Sequence, residues 1–276
     1  MKNLQLNSPH NKMFSIHNII ALLSFGIFIF SFSSCKDREG LSGMGSNDNP
    51  CIIQNAYEDG ILYASVEVIN GTDEYKTYNY TTDGEVSDIY HVKHNNLAKE
   101  WTVNRKKANG EVINMQVYKY SSDPYKLNVG EFYKVENSIL VIQGSMQMTY
   151  NGNSSCSLTQ IDFYNANQEK IGSSSIDYID QNCSQRFTRT LYNPANGQVI
   201  GSDNIRTVYY DNYRSPGGAR YNFTLFDGRQ IDHNVISEEE NGVQVFEATY
   251  TYNEQGYPIT YTQDQEYNYT FEYICE

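Results

Sequence analysis

The sequence predicts an all-β protein, a large antiparallel meander of roughly 12–16 strands forming a curled open sheet or a barrel-like body. Three observations carry this reading. Segments of strict two-residue alternation recur along the chain, most clearly at the end, where Tyr267, Tyr269, Phe271, Tyr273 and Cys275 share one face and Glu266, Asn268, Thr270 and Glu272 the other. Many such segments stop at an aromatic followed by Asn, Asp or Gly, the residues that tolerate the positive φ of tight hairpins. The composition fits a pleated, half-buried surface, with 25 Tyr and 12 Phe against a single Trp in 276 residues.

Taken in order, residues 1–34 read as a signal peptide. Lys2 and Lys12 precede an apolar run from Ile19 to Phe32. A helix of that length is about 21 Å long, short of the ~30 Å hydrocarbon core. An export signal is therefore favoured over a permanent span, with translation starting at Met1 or Met13. The run ends in Phe32-Ser33-Ser34-Cys35, which resembles the lipobox of bacterial lipoproteins. The resemblance implies removal of the signal and lipidation of Cys35, so that the protein is held on a membrane by buried acyl chains. Lys36-Asp37-Arg38-Glu39 loosely resembles the acidic signal that sends lipoproteins of the Bacteroidota to the outer face of the outer membrane. Residues 35–50 then form a flexible tether rich in Gly, Ser, Asn and Asp. Its glycines follow no strand and open no helix, so they are not a phosphate loop.

Residues 51–276 read as one β-meander domain. Strands are expected at 61–69, 74–80, 111–120, 158–164, 171–179, 185–192, 204–213, 219–226, 230–237, 243–252 and 266–275. Leu140, Ile142, Met146, Met148 and Tyr150 form a further apolar stripe interrupted by Gly144. The best helix candidate is Asn95 to Trp101, and the strand pattern is least clear over 121–137. The turns Tyr192-Asn193-Pro194-Ala195-Asn196-Gly197, Phe226-Asp227-Gly228 and Tyr252-Asn253-Glu254-Gln255-Gly256 mark hairpins of an irregular repeat. This ladder of acids and tyrosines, clearest at Tyr250-Thr251-Tyr252-Asn253-Glu254-Gln255-Gly256-Tyr257-Pro258, resembles uncharacterised Bacteroidota secreted lipoproteins with a porin-like, tyrosine-rich β-meander fold. That resemblance implies a curled β body in the cell envelope and brings no catalytic residues with it. Outward stripes of Tyr, Thr and Asn and a mean hydropathy of −0.61 argue against a lipid-facing barrel wall.

Lys and Arg total 20 and Asp and Glu 33, for a net charge of −13. That balance excludes electrostatic binding to nucleic acid or to an anionic lipid surface. With Cys35 lipidated, Cys51, Cys156, Cys183 and Cys275 remain, an even number that suggests disulfides in an exported protein. Three pairings are open. Cys156–Cys183 is preferred because two strands between them return the chain to the same edge, which leaves Cys51–Cys275 to tie the tether to the last strand. Without a C-x-x-C pair no zinc site is expected. His91 and His94 stand three apart, so on a strand they face opposite sides, and both could bind one metal only if the segment turned. Glu238-Glu239-Glu240 before Asn241-Gly242 reads as a solvated hairpin tip. There is no G-x-S-x-G elbow and no calcium-loop pattern.

The expectation is accordingly a membrane-anchored envelope lipoprotein that acts as a non-catalytic binding or scaffolding module for a glycan or an envelope protein. No cofactor and no metal are expected. Two other classes stay open: an envelope hydrolase acting on glycans through carboxylates on the sheet, and a fimbrial or structural subunit.

Overall fold

The computed structural model describes residues 51–275 except 71–72, 123–126, 153–155 and 214–233. The signal, the lipidation residue Cys35, the tether and the strand expected at 219–226 lie outside the described residues. Sixteen strands follow in order: β1 Cys51–Glu58, β2 Ile61–Asn70, β3 Glu74–Tyr80, β4 Val86–Asn95, β5 Glu100–Lys107, β6 Val112–Tyr120, β7 Leu127–Glu136, β8 Ile139–Tyr150, β9 Leu158–Asn165, β10 Lys170–Tyr178, β11 Gln185–Tyr192, β12 Val199–Tyr210, β13 Val235–Glu240, β14 Val243–Tyr252, β15 Pro258–Gln263 and β16 Tyr267–Cys275. Each pairs antiparallel with its neighbours in sequence, and β16 pairs antiparallel with β1. The meander is therefore a closed up-and-down barrel, and no described strand is left with a free edge.

Odd-numbered strands run toward one rim and even-numbered strands return. The hairpins at the first rim are short, such as Asp59–Gly60, Asn137–Ser138 and Asn241–Gly242. At the opposite rim the connections are longer, including 179–184 and 211–234. The first is called the turn rim below and the second the loop rim. Their chemistry is local. At 193–198, the Asn193 side chain accepts from the Ala195 amide at 3.0 Å, and Gly197 takes a φ of 68° that a side chain would disfavour.

Inside and outside are decided by burial, because a single-layer barrel can cover only its inner face. On β5, Trp101 and Val103 are buried, and their cross-strand partners Tyr118 and Val92 are buried with them. The alternate positions Glu100, Thr102, Asn104 and Lys106 form the outward row. A round barrel of this strand number would enclose an aqueous channel. Here much of the interior is filled by side chains instead, in one large cluster across β3–β10 and a second across β1, β2 and β14–β16. The second contains Tyr261 and Phe271, so the stripe read on 266–275 is the inner face.

Several expectations are corrected. Asn95 to Trp101 is not helical: β4 runs through Asn95, whose side chain accepts from the amides of Leu97 and Ala98, and Lys99 turns at φ 54° into β5. The segment 121–137 contains β7, whose alternation is hidden because its inner row includes Gly130 and Lys134. The stripe from Leu140 to Tyr150 is not one face. A bulge pairs Phe132 with Gly144 but Tyr133 with Ile142, which sends Leu140 and Ile142 outward while Met146 and Met148 point in. Gly144 is required there, since a Cβ would lie 2.5 Å from the Tyr164 carbonyl oxygen. The strand expected at 204–213 ends at Tyr210. Glu238 is not a tip residue: it points into the barrel.

Cys156 and Cys183, in two connections at the loop rim, are joined in a disulfide with a Cα–Cα distance of 5.6 Å. Cys51 stands directly opposite Cys275 in the β1–β16 register. Peptide mapping under non-reducing conditions is expected to recover Cys156 linked to Cys183 and Cys51 linked to Cys275. A Cys51–Cys156 or Cys183–Cys275 peptide would contradict both. The loop-entropy model assigns ~3–5 kcal/mol to bridges of such span.

Candidate functional site

The outward wall carries a repeated arrangement of Tyr, carboxylate and ammonium. On β2 and β3, Glu67 accepts from the Tyr78 hydroxyl and from Lys76 Nζ at 3.1 Å. On β6 and β7, Glu131 accepts from the Tyr133 hydroxyl at 3.0 Å and from Lys119 Nζ at 3.0 Å. At the seam between β16 and β1, Glu272 accepts from Tyr57 at 3.0 Å and from the Asn55 amide at 2.8 Å. Tyr80 exchanges a hydrogen bond with Ser65 at 2.9 Å, and Tyr192 lies under the Lys170 ammonium, 4.9 Å from the ring centroid. In each case cross-strand neighbours on one face can reach each other, and the phenol tip is held along the wall rather than projecting. The Tyr78 and Lys76 donors hold the Glu67 carboxyl below its ordinary range. Lys93 and His91 do the same for Glu74. Across the middle of β14–β16 the outward positions Thr249, Thr251, Thr260, Thr262, Asn268 and Thr270 adjoin, with Thr251 and Thr260 bonded at 2.6 Å.

The inner face holds a smaller set of polar groups. Arg105 grips Asp88 with Nε and Nη2 at 2.9 and 3.1 Å, and its guanidinium carbon sits 5.9 Å from the Tyr90 ring centroid. Eight strands further round, Glu238 on β13 pairs with Arg206 on β12. At the loop rim, His94 stacks on Trp101 at 4.1 Å, with Nδ1 2.9 Å from Asp73 and Nε2 2.9 Å from the Tyr120 hydroxyl. His91 points outward instead, 2.6 Å from Glu74, so the two histidines do not meet. Asp211 gathers the Tyr252 hydroxyl and the Asn234 amides, pinning both ends of the β12–β13 connection. Among the described residues no three His, Cys, Asp or Glu come together as a metal cluster. Sequence reasoning missed Arg105, Asp88, Arg206 and Glu238, which only the barrel register places together.

A run of tyrosines lines the inner face of β14–β16. Tyr261 stacks on Tyr269 at 4.2 Å and lies 5.3 Å from Tyr250. Burial drives the Tyr250, Tyr261 and Tyr273 phenols well above their ordinary range, and Tyr269 is pushed up to about 12 by burial and Glu58. The neutral phenol is thus favoured in the folded state, so these groups stabilise the barrel fully below the unfolded value near ~10 and lose that contribution as pH rises beyond it. In an alkaline titration, their tyrosinate absorbance at 295 nm is expected to rise together with the loss of β-sheet circular dichroism. Ionisation of every tyrosine by about pH 10.5 with the dichroism intact would refute the inner placement.

These features define a class: a single-layer up-and-down β-barrel, packed with aromatic rings inside and walled by charged and hydroxyl groups outside. No family model and no curated protein matches the chain. Among solved structures it is similar to a porin-like protein from Bacteroides uniformis ATCC 8492, at 12% identity and a TM-score of 0.46, covering 81% of this chain and 98% of that chain. It is also similar to a porin-like protein from Bacteroides vulgatus ATCC 8482, at 12% identity and a TM-score of 0.35, covering 81% of this chain and 99% of that chain.

Proposed function

We propose that the protein is a lipid-anchored, non-catalytic binding module of the bacterial cell envelope, which contacts a glycan or an envelope protein through its outward wall. The observation that carries this reading is the wall itself. Tyrosines fixed by Glu67, Glu131 and Glu272 offer apolar ring area beside hydrogen-bonding groups already in place, so little side-chain freedom is lost on binding. The lipid anchor at Cys35 rests on the Ser33-Ser34-Cys35 junction that ends the apolar run.

The alternatives draw less support. A glycosidase needs one carboxyl with a raised pKa to act as general acid. The wall carboxyls whose partners perturb them, Glu67, Glu74 and Glu111, are all shifted down. A subunit assembling by strand addition needs an exposed edge, and β1 is paired with β16.

The test uses the purified mature protein on glycan and peptidoglycan arrays beside a hydrolase panel, with mass spectrometry of its N-terminus. Retention of a glycan or envelope protein that falls at least about tenfold in Tyr78→Ala/Tyr133→Ala supports the reading. Turnover abolished by changing one carboxylate would overturn it. An N-terminus other than diacylglyceryl-Cys35 would overturn the anchor.

A further inference from the structure

The turn rim is not uniform round the barrel. Four consecutive hairpins, β11–β12, β13–β14, β15–β16 and β1–β2, place Val199, Ile200, Val243, Val245, Tyr267 and Ile61 in solvent, with Val199 59%, Ile200 66% and Val243 65% exposed. Between them stand Glu58, Asp59, Glu239, Glu240, Asp264 and Glu266. The tips 57–62, 193–201, 239–247 and 263–267 contain no Lys or Arg. Among the described residues none of these six acids is in an ion pair. The remaining four hairpins differ. Three of them mix both signs, as in the Lys107–Glu111 pair at 2.9 Å and the Lys134–Glu136 pair at 3.5 Å, and the fourth, β3–β4, carries Asp83 and Glu85 without an exposed large aliphatic side chain.

The β7–β8 hairpin also exposes Ile139 and Leu140, but on this arc exposed aliphatic side chains recur over four neighbouring hairpins beside acids that have no cation partner among the described residues, and such a patch marks a contact surface more often than chance exposure does. The charge selects the occupant. A second copy would bring acid against acid, and an anionic lipid surface is repelled for the same reason. Position agrees with this: β1 begins at the loop rim, so the chain preceding Cys51 enters at the opposite end of the barrel. Eight strands at ~4.8 Å spacing give an arc of about 34 Å, the length of roughly ten extended residues. We propose that this arc of the turn rim docks a cationic protein segment whose apolar side chains alternate with Lys or Arg. This surface is separate from the tyrosine wall.

The full-length protein would be titrated with an eleven-residue peptide of alternating Lys and Val, followed by fluorescence anisotropy. A Lys/Asn peptide of equal charge and a Glu/Val peptide serve as controls. The Lys/Val peptide is expected to bind one to one and at least about tenfold tighter than either control. The double variants Val199→Asn/Val243→Asn and Glu240→Gln/Glu266→Gln should each lose about tenfold while keeping the wild-type melting temperature. Ile139→Asn/Leu140→Asn, on the mixed-charge β7–β8 hairpin, should bind as wild type. So should Tyr78→Ala/Tyr133→Ala, which separates this result from failure of the wall. Equal affinity for the Lys/Asn peptide would overturn the proposal, as would rim variants that bind unchanged. A dimer in sedimentation that the rim variants abolish would also overturn it.

Discussion

Replacing Arg206 with Met is expected to cost about 3–5 kcal/mol, because it leaves Glu238 charged inside the barrel with its cation gone. Both side chains are about seven-eighths buried, at 12% exposure each. They also sit on β12 and β13, next to the connection pinned by Asp211, so water entering at Glu238 would loosen that whole side. The pair itself is a different matter. Removing both charges together, as Arg206→Met/Glu238→Leu, should recover most of the loss, since the desolvation cost of a buried pair roughly offsets its attraction. Arg206 Nε has no hydrogen-bond partner among the described residues, which makes the cation only partly compensated even in the native barrel. Urea unfolding at neutral pH measures both numbers through the shift in midpoint at constant slope. A single variant within about 1 kcal/mol of wild type would show that Glu238 reaches solvent or takes up a proton.

The second large effect is expected at Phe271, where truncation to Ala should cost about 3–5 kcal/mol. Phe271 faces Ala56 across the β16–β1 seam and packs 5.8 Å from Tyr261 on β15. The neighbouring small residues Ala56, Ala64 and Ala248 leave the space that its ring fills. They are backbone-anchored and cannot swing into a void, so the cavity should persist rather than collapse. Because this is the strand pair that closes the barrel, the loss should appear in unfolding rate as well as in equilibrium stability. The same urea titration decides it. A loss below about 1 kcal/mol would mean that the tyrosines around the site repack readily.

Much of the architecture was legible because hairpin pairing is local. Tyr and Thr alternating on 266–275, or Asn193 to Gly197 between two apolar runs, specify strand and turn within a dozen residues. An up-and-down meander needs little else. The failures came where that local signal is degenerate. β7 mixes Gly130, Phe132 and Lys134 on its inner row, so no period of two is visible. The stripe from Leu140 to Tyr150 reads as one face interrupted only at Gly144, yet the bulge opposite Phe132 turns part of it outward, and a one-residue shift in register exchanges every face beyond it. The best helix candidate, Asn95 to Trp101, is instead a strand end and a turn, closed by the Asn95 side chain.

The sequence by itself determined the strand content, the turn chemistry and the acidity, because each depends on composition or on residues near one another in the chain. Only the tertiary structure decided that the meander closes, since the β1–β16 seam joins segments more than two hundred residues apart in sequence. Closure then set everything that depends on position round the barrel. It laid Tyr57 and Asn55 against Glu272 across the seam and set the β1–β2 hairpin beside β15–β16, completing the arc of four hairpin tips, while the register of neighbouring strands brought Arg105 to Asp88 and Arg206 to Glu238. No local pattern encodes those meetings, because they depend on pairing register and on which face each bulge presents to the interior.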